Sequence, residues 1–286
     1  MATGHSQVNL PRSAYPKNEP ADPAELAREI AREARSRGGL LLFTDYDGML
    51  CPSVRDRRSV GLPLLVRGAL VALATTPATR VVIISGEDAC DLETRINVPG
   101  VIYAGCRGLQ IQGAGIAFYH PAAARLREML PLLAQELSEC LAPLPGVEVE
   151  IKELGVTVHT RRVDPSAVPV IIAQAEELRR KSASEFKVCQ SESTVDLFPD
   201  LDWRKGSSAL WILEQWVREG RGQPVVVYLG DDDADEDAYL ALREHGYAVH
   251  VGRLAAATPY WVVDRAAAID LLAQIAFAWS VHSLGR

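Results

Sequence analysis

The sequence predicts an α/β fold, an open and mostly parallel sheet flanked by helices, with a smaller α+β unit inserted into it. Three observations predict it. Short apolar runs alternate with helical patterns over residues 40–103 and again over 205–251, and the runs are as apolar as strands buried on both faces require. Between about 121 and 199 the texture changes to strand, strand, helix, strand, strand. The strand-helix alternation then resumes at Lys205 and finishes the sheet, so the middle stretch interrupts a domain rather than following one.

Each element has its own signal. Residues 1–20 are polar and proline-rich without an apolar core segment, which reads as a flexible tail and not as a secretory signal. From Ala21, ADPAELAREIAREARS carries apolar residues at helical spacing and stops at Gly38-Gly39. The run 40–44 (LLLFT) lies between Gly39 and the turn-forming Asp47-Gly48, as a buried parallel strand should. Runs at 80–84 (RVVII), 101–103, 225–229 (VVVYL) and 247–251 repeat the pattern. In the middle, a helical segment reaches Leu141, VEVEIK and VTVHTR alternate with period two, a second helix reaches Lys181, and short runs surround Phe186 and Val195. A helix follows over 205–218. The apolar stretch 266–281 is broken by Asp270 and Gln274 and falls short of the roughly 20 residues of a membrane span, so it reads as a core helix. The expected organisation is a tail at 1–20, a core at 21–120 and 200–286, and an inserted unit at 121–199.

Composition narrows the function. At roughly 150 residues per domain, 286 residues make one or two domains. Apolar residues at 48% and charged residues at 23% exclude wholesale disorder. Thirty Lys plus Arg against 37 Asp plus Glu leave a charge of -7, without the basic footprint that nucleic acid requires. Five scattered cysteines without a C-x-x-C suit neither a disulfide framework nor a structural zinc site, and read as reduced thiols of a cytoplasmic protein.

Four short motifs carry the chemistry. Asp45-Tyr46-Asp47-Gly48 closes the first strand, where open α/β sheets place ligands. Taken alone it reads equally as an acidic turn. GDDDADED, Gly230 to Asp237, follows VVVYL and packs six carboxylates into eight residues. A helix N-terminus accounts for one or two of them; a hard divalent cation such as Mg2+ would neutralise the rest, and Asp45, Asp47 and Asp231 would suffice to hold it. Ser85-Gly86 after RVVII and Lys205-Gly206 at a helix start are each weak signals. Together they supply a hydroxyl and a fixed positive charge for the equatorial oxygens of a transferring phosphoryl group.

The order DxDG, Ser, Lys, GDD on successive strand ends resembles the haloacid dehalogenase (HAD) superfamily of phosphotransferases. The flanking YAGCRGLQ, EIKELGVTVHTR, VDLFP with WRKG, and YLGDDDADEDAYLAL are similar to the trehalose-6-phosphate phosphatase family, from about Leu40 to the last helix. The resemblance implies a Rossmann-like parallel-sheet core with an inserted α+β cap. It implies Asp45 as the nucleophile that forms an aspartyl-phosphate and Asp47 as the general acid and base. It implies Mg2+ on Asp231, Asp45 and the Asp47 carbonyl, with Asp232 and Asp235 orienting metal-bound waters. Ser85 and Lys205 would grip the phosphoryl oxygens beside Gly48 and Gly86. Glu150 and Lys152 fall on the family's E-x-K, His159 and Arg161 on its H-x-R, and Asp196 where a Glu is usual. Glu150, Lys152 and Asp196, with Arg107, are the expected sugar contacts. A lone histidine in an alternating strand reads as a packed or surface residue, so His159 is not needed for catalysis.

The chain departs from the family pattern at Met49 for Thr, Glu87 for Arg, Arg107 for His, Phe198 for a basic residue and Ala234 for Thr. These surround the expected substrate contacts and leave the sugar open: trehalose 6-phosphate, or another glycosyl phosphate such as glucosylglycerol phosphate or sucrose phosphate. A catalytically silent regulatory relative and a mutase are the other readings. The expected partner is a small-molecule sugar phosphate, with no nucleic acid and no membrane.

Overall fold

The computed structural model describes residues 19–51, 61–191, 193–253 and 258–281; the expected tail at 1–18 lies outside the described residues. Helix α1 (Pro23–Arg37) starts where Asp22 accepts from the Glu25 backbone N–H at 2.8 Å, with Pro23 at its first position, and stops at Gly38, φ 81°. Then come β1 (Leu40–Asp45), α2 (Leu64–Thr75), β2 (Thr79–Ile84), α3 (Ala89–Ile96), β3 (Val101–Gly105), β4 (Gln110–Gly113) and β5 (Ile116–Tyr119). The middle stretch holds α4 (Pro121–Leu126), α5 (Leu130–Leu141), β6 (Glu148–Lys152), β7 (Gly155–His159), α6 (Val168–Ser182), β8 (Phe186–Gln190) and β9 (Thr194–Pro199). The chain continues through α7 (Lys205–Arg218), β10 (Val225–Gly230), α8 (Glu236–Leu242), β11 (Gly246–Val251), β12 (Tyr260–Val262) and α9 (Arg265–Ser280).

The large sheet runs β12-β11-β10-β1-β2-β3-β4-β5. It is parallel from β12 to β3. The strands β4 and β5 then extend it as an antiparallel hairpin, which the apolar-run pattern does not predict. Every residue of β1 is buried. Its Leu40 and Leu42 pack on one side with α1, α2, α3 and α9, while Leu41 and Phe43 pack on the other with α7 and α8. The order turns at β1, with β2 and β3 on one side and β10 and β11 on the other. In open α/β sheets such a switch, here at the carboxyl ends of β1 and β10, is where ligands bind.

The small sheet is antiparallel, in the order β6-β7-β9-β8. Val156, Val158, Val195 and Leu197 turn one face onto Leu133 and Leu137 of α5 and Ile171 and Ala175 of α6. Period-two alternation therefore turns Glu150, Lys152, Thr157, His159 and Asp196 to the opposite face. A separate apolar cluster of Cys106, Leu109, Ala123, Leu154 and Phe198 joins the two units.

Candidate active site

Strand register sets the site. Asp45 pairs with Ile84 and Thr44 with Leu229, so Asp45 is level with Gly230, and Ser85 and Asp231 each lie one residue beyond the same line. The loop after β1 closes tightly: Leu50 and Cys51 N–H donate to the Tyr46 carbonyl at 3.0 Å, and Gly48 N–H to the Cys51 carbonyl at 2.9 Å. Arg265 of α9 donates to the Met49 and Leu50 carbonyls at 2.9 and 2.7 Å. Gly48 has φ +80°, and a Cβ there would stand 2.1 Å from Asp231 Oδ2. Only glycine lets the Asp47-Gly48 turn press against Asp231.

Lys205 binds the site together. It opens α7 and is buried, and its ammonium donates to Asp45 Oδ1 at 2.6 Å and Asp235 Oδ1 at 2.7 Å, with Asp232 Oδ1 at 3.8 Å. Asp235 is fully buried. Its Oδ1 also accepts from the Tyr228 hydroxyl at 2.7 Å, and its Oδ2 accepts from the Asp231 and Asp232 N–H groups at 3.1 and 3.3 Å. Both oxygens thus meet protein donors, and Asp235 holds the acidic loop in shape from beneath. The side chain of Asp232 is half exposed. Tyr228 was not singled out from sequence, although a tyrosine in the buried aliphatic run VVVYL needs a partner for its hydroxyl.

Ser85 is buried, and its Oγ accepts from the Glu87 N–H at 3.1 Å. At Gly86 an added Cβ would meet nothing within 4 Å among the described residues. In the small sheet, Glu150 Oε2 and His159 Nε2 are 2.7 Å apart, which pairs the histidine with a neighbouring strand. Asp196 accepts from Thr157 Oγ1 at 2.7 Å and Thr194 Oγ1 at 3.0 Å. Two residues on the small sheet meet the large one: Lys152 Nζ lies 2.7 Å from Glu87 Oε2, and Asp196 Oδ2 lies 3.7 Å from Arg107. Met49 is fully buried in the apolar cluster under β1, so its side chain serves packing.

The electrostatics follow from burial. Burial pushes the Asp45 carboxyl well up, helped by Asp235 and Asp232 and opposed by Lys205. Burial pulls on Lys205 in the other direction, but the carboxylates of Asp45, Asp235 and Asp232 hold its ammonium well above the ordinary lysine value. Asp231 is pushed up to about 7 by burial and by the charges of Asp235 and Asp232. Among the described residues no three acidic, histidine or cysteine groups already converge as a metal cage. The donor chemistry nevertheless fits a cation. Asp231 Oδ1 is buried with no hydrogen-bond partner, and three carboxylates, Asp45, Asp232 and Asp235, share the Lys205 ammonium. A hard divalent ion would supply counter-charge to such a set.

Residues 43–267 match the trehalose-phosphatase family. The chain is 35% identical over 212 residues to a trehalose-phosphate phosphatase of Mycobacterium tuberculosis, covering 73% of this chain and 53% of that protein. It is 37% identical over 204 residues to one of Mycobacterium avium, covering 71% and 51%. This chain therefore spans about half the length of the curated relatives it matches. The C-terminal domain of the C. albicans trehalose-6-phosphate phosphatase superposes with a TM-score of 0.74 at 21% identity, covering 90% of this chain and 98% of that one, which shows a shared fold. The sheet with its inserted second unit is thus the fold of HAD-like hydrolases, and with the family match running from β1 into α9 this chain belongs to the trehalose-phosphatase family.

Proposed function

We propose that this chain is a Mg2+-dependent phosphatase that hydrolyses trehalose 6-phosphate to trehalose and phosphate. The observation that carries the reading is the buried Asp45 at the end of β1, held at 2.6 Å by Lys205 and set beside the Asp231 loop. The names of the mycobacterial relatives support the substrate. Lys205 occupies Oδ1 of Asp45, so Oδ2 attacks phosphorus as the bond to the sugar oxygen breaks. Asp47 gives its proton to that departing oxygen, then takes one from the water that splits the aspartyl-phosphate and regenerates Asp45. Ser85 Oγ–H and the Lys205 ammonium hold the phosphoryl oxygens, with Gly48 and Gly86 leaving room for them.

Mg2+ would be held by Asp45, Asp231 and the Asp47 carbonyl, with Asp232 at its margin, and would supply charge neutralisation at the phosphoryl group. The unit over 121–199 acts as the cap, and Glu150, Lys152, Asp196 and Arg107 meet the sugar. Five free cysteines support a cytoplasmic setting, and no described helix is long and apolar enough to cross a membrane. A second reading, a different glycosyl phosphate, is favoured by one observation: Lys152 is already paired with Glu87.

The test is initial rates of phosphate release from a panel of phosphorylated mono- and disaccharides, with Mg2+ and with EDTA. Release from trehalose 6-phosphate that stops on chelation is expected. No release from any sugar or aryl phosphate would overturn the reading, and a preference for another glycosyl phosphate would select the second one.

A further inference from the structure

Lys205 has a long, flexible stem and stands at the start of a helix, so the place of its ammonium depends on what fixes the first turn of α7. By local rules that turn begins poorly. Arg204 precedes it, Lys205 opens it and it carries no acidic residue, which sets two cations at the positive end of the helix dipole. The hydrogen bonds of Ser207 and Ser208 stay inside the turn. Ser207 Oγ accepts from the Arg204 N–H at 3.3 Å, and the Ser208 hydroxyl donates to the Lys205 carbonyl at 2.7 Å. They stiffen the turn without locating it.

Helix α8 ties it to the rest of the large-sheet unit. The Gly206 N–H donates to Asp237 Oδ2 at 2.8 Å, 31 residues along the chain. The two helices are also in close contact there: a Cβ on Gly206 would stand 2.7 Å from the Asp237 carbonyl oxygen and 3.0 Å from Ala241 Cβ. Asp235, two residues before Asp237, takes the other end of the lysine, accepting from its ammonium at 2.7 Å. One short stretch of chain therefore grips Lys205 by its head and by the backbone beside it. The same stretch shapes the acidic loop, because Asp235 Oδ2 accepts from the Asp231 and Asp232 N–H groups.

We propose that Asp237 is a positioning residue: by accepting from Gly206 where α7 meets α8, it seats Lys205 between Asp45 and Asp235 and keeps the lysine in register with the Asp231 loop. That the seated lysine then holds a phosphoryl group rests on the function proposed above; the joint itself rests on the contact between α7 and α8. One consequence separates this from general support of the helix. Alanine is a better helix former than glycine, so Gly206→Ala strengthens α7 by local rules and disturbs it at this joint.

The experiment treats the full chain with Mg2+ briefly with acetic anhydride and reads the acetylation of each lysine by peptide mass, with the exposed Lys181 as internal reference. In the parent, Lys205 is 6% exposed and is acetylated slowly. Asp237→Ala raises the Lys205 rate about tenfold or more, because the loosened turn opens locally, and Gly206→Ala does the same. Should Asp237→Ala not fold, Gly206→Ala carries the test. Asp237→Asn keeps an oxygen for the Gly206 N–H and stays within about threefold of the parent. Glu219→Ala frees the far end of α7 from Arg80, lowers the thermal midpoint and leaves the Lys205 rate unchanged. In steady state Asp237→Ala loses about tenfold in kcat with KM changed less than about threefold, as a misplaced group costs turnover more than binding. The joint is overturned by a Lys205 rate unmoved in the Asp237→Ala and Gly206→Ala variants, by Asp237→Asn behaving as Asp237→Ala, or by Glu219→Ala raising the rate equally. A parent that hydrolyses no phosphate ester sinks the proposed function alone, because acetylation is read without turnover.

Discussion

Lys205, which opens α7 beside the large sheet, approaches Asp45 to 2.6 Å and His159 in the small sheet approaches Glu150 to 2.7 Å, yet the lysine pair is 7% exposed on both sides and the histidine pair about a third exposed. Bond length is nearly the same and surroundings are not. Water screens the Glu150–His159 contact, which is worth about 0–1 kcal/mol. The Lys205 contacts have little water to fall back on, and removing one partner leaves buried charges uncompensated at about 3–5 kcal/mol. The core thus holds these charged groups by making every alternative arrangement costly. The small sheet presents its polar face on a pleated strand surface that water reaches.

The largest test of this contrast is Asp45→Asn, which should fold normally and lose about 10^4-fold or more in phosphate release, since the amide is no nucleophile. A folded Asp45→Asn variant with parental rates would remove the basis of the site. Lys205→Met follows: chemical denaturation should show about 3–5 kcal/mol lost as Asp45 and Asp235 are left buried and unpaired, whereas His159→Gln in the cap should lose less than about 1 kcal/mol. Equal losses at the two positions would erase the distinction between the sheets.

Tyr228→Phe removes one donor from Asp235 and keeps the ring, so a loss of about 1–2 kcal/mol is expected. A drop in kcat at unchanged KM should accompany it, because the Asp231 loop loses its support. The smallest effect is in acid. The hydrogen bond from His159 holds the Glu150 carboxyl below its ordinary value of 4.5. A depressed carboxyl contributes stability above that ordinary value and loses it as pH falls through the folded one. Thermal unfolding of the parent and His159→Gln should therefore differ near neutrality and converge in acid, once pH has fallen through the lowered Glu150 value.

Much of this was legible in the sequence because it is local. The helix expected over 205–218 is α7, and the strands at 40–44, 80–84 and 225–229 differ from β1, β2 and β10 by one residue at an end. The hairpin β4–β5 was not legible: its strands are four residues each, one of them Gln-Ile-Gln-Gly, and they become strands because β4 pairs with the edge of β3 and β5 with β4. Edge β12, three residues long, is of the same kind. In the site, Asp45, Ser85, Lys205 and Asp231 were visible because each follows a buried run or opens a helix beside a glycine. The six carboxylates of GDDDADED look alike in sequence. The fold buries Asp235 completely, leaves Asp232 and Asp233 outward and leaves Asp231 Oδ1 without a partner.

What the sequence alone determined, then, is which residue types stand at the strand ends and in what order, since periodicity and glycine placement act within a few residues along the chain. Only the tertiary structure decided which carboxylate meets Lys205, what Tyr228 supports and that Glu87 faces Lys152, 65 residues away. Those outcomes depend on which distant surfaces exclude water from one another, and the energy of a charge is set by that exclusion rather than by its neighbours in the chain.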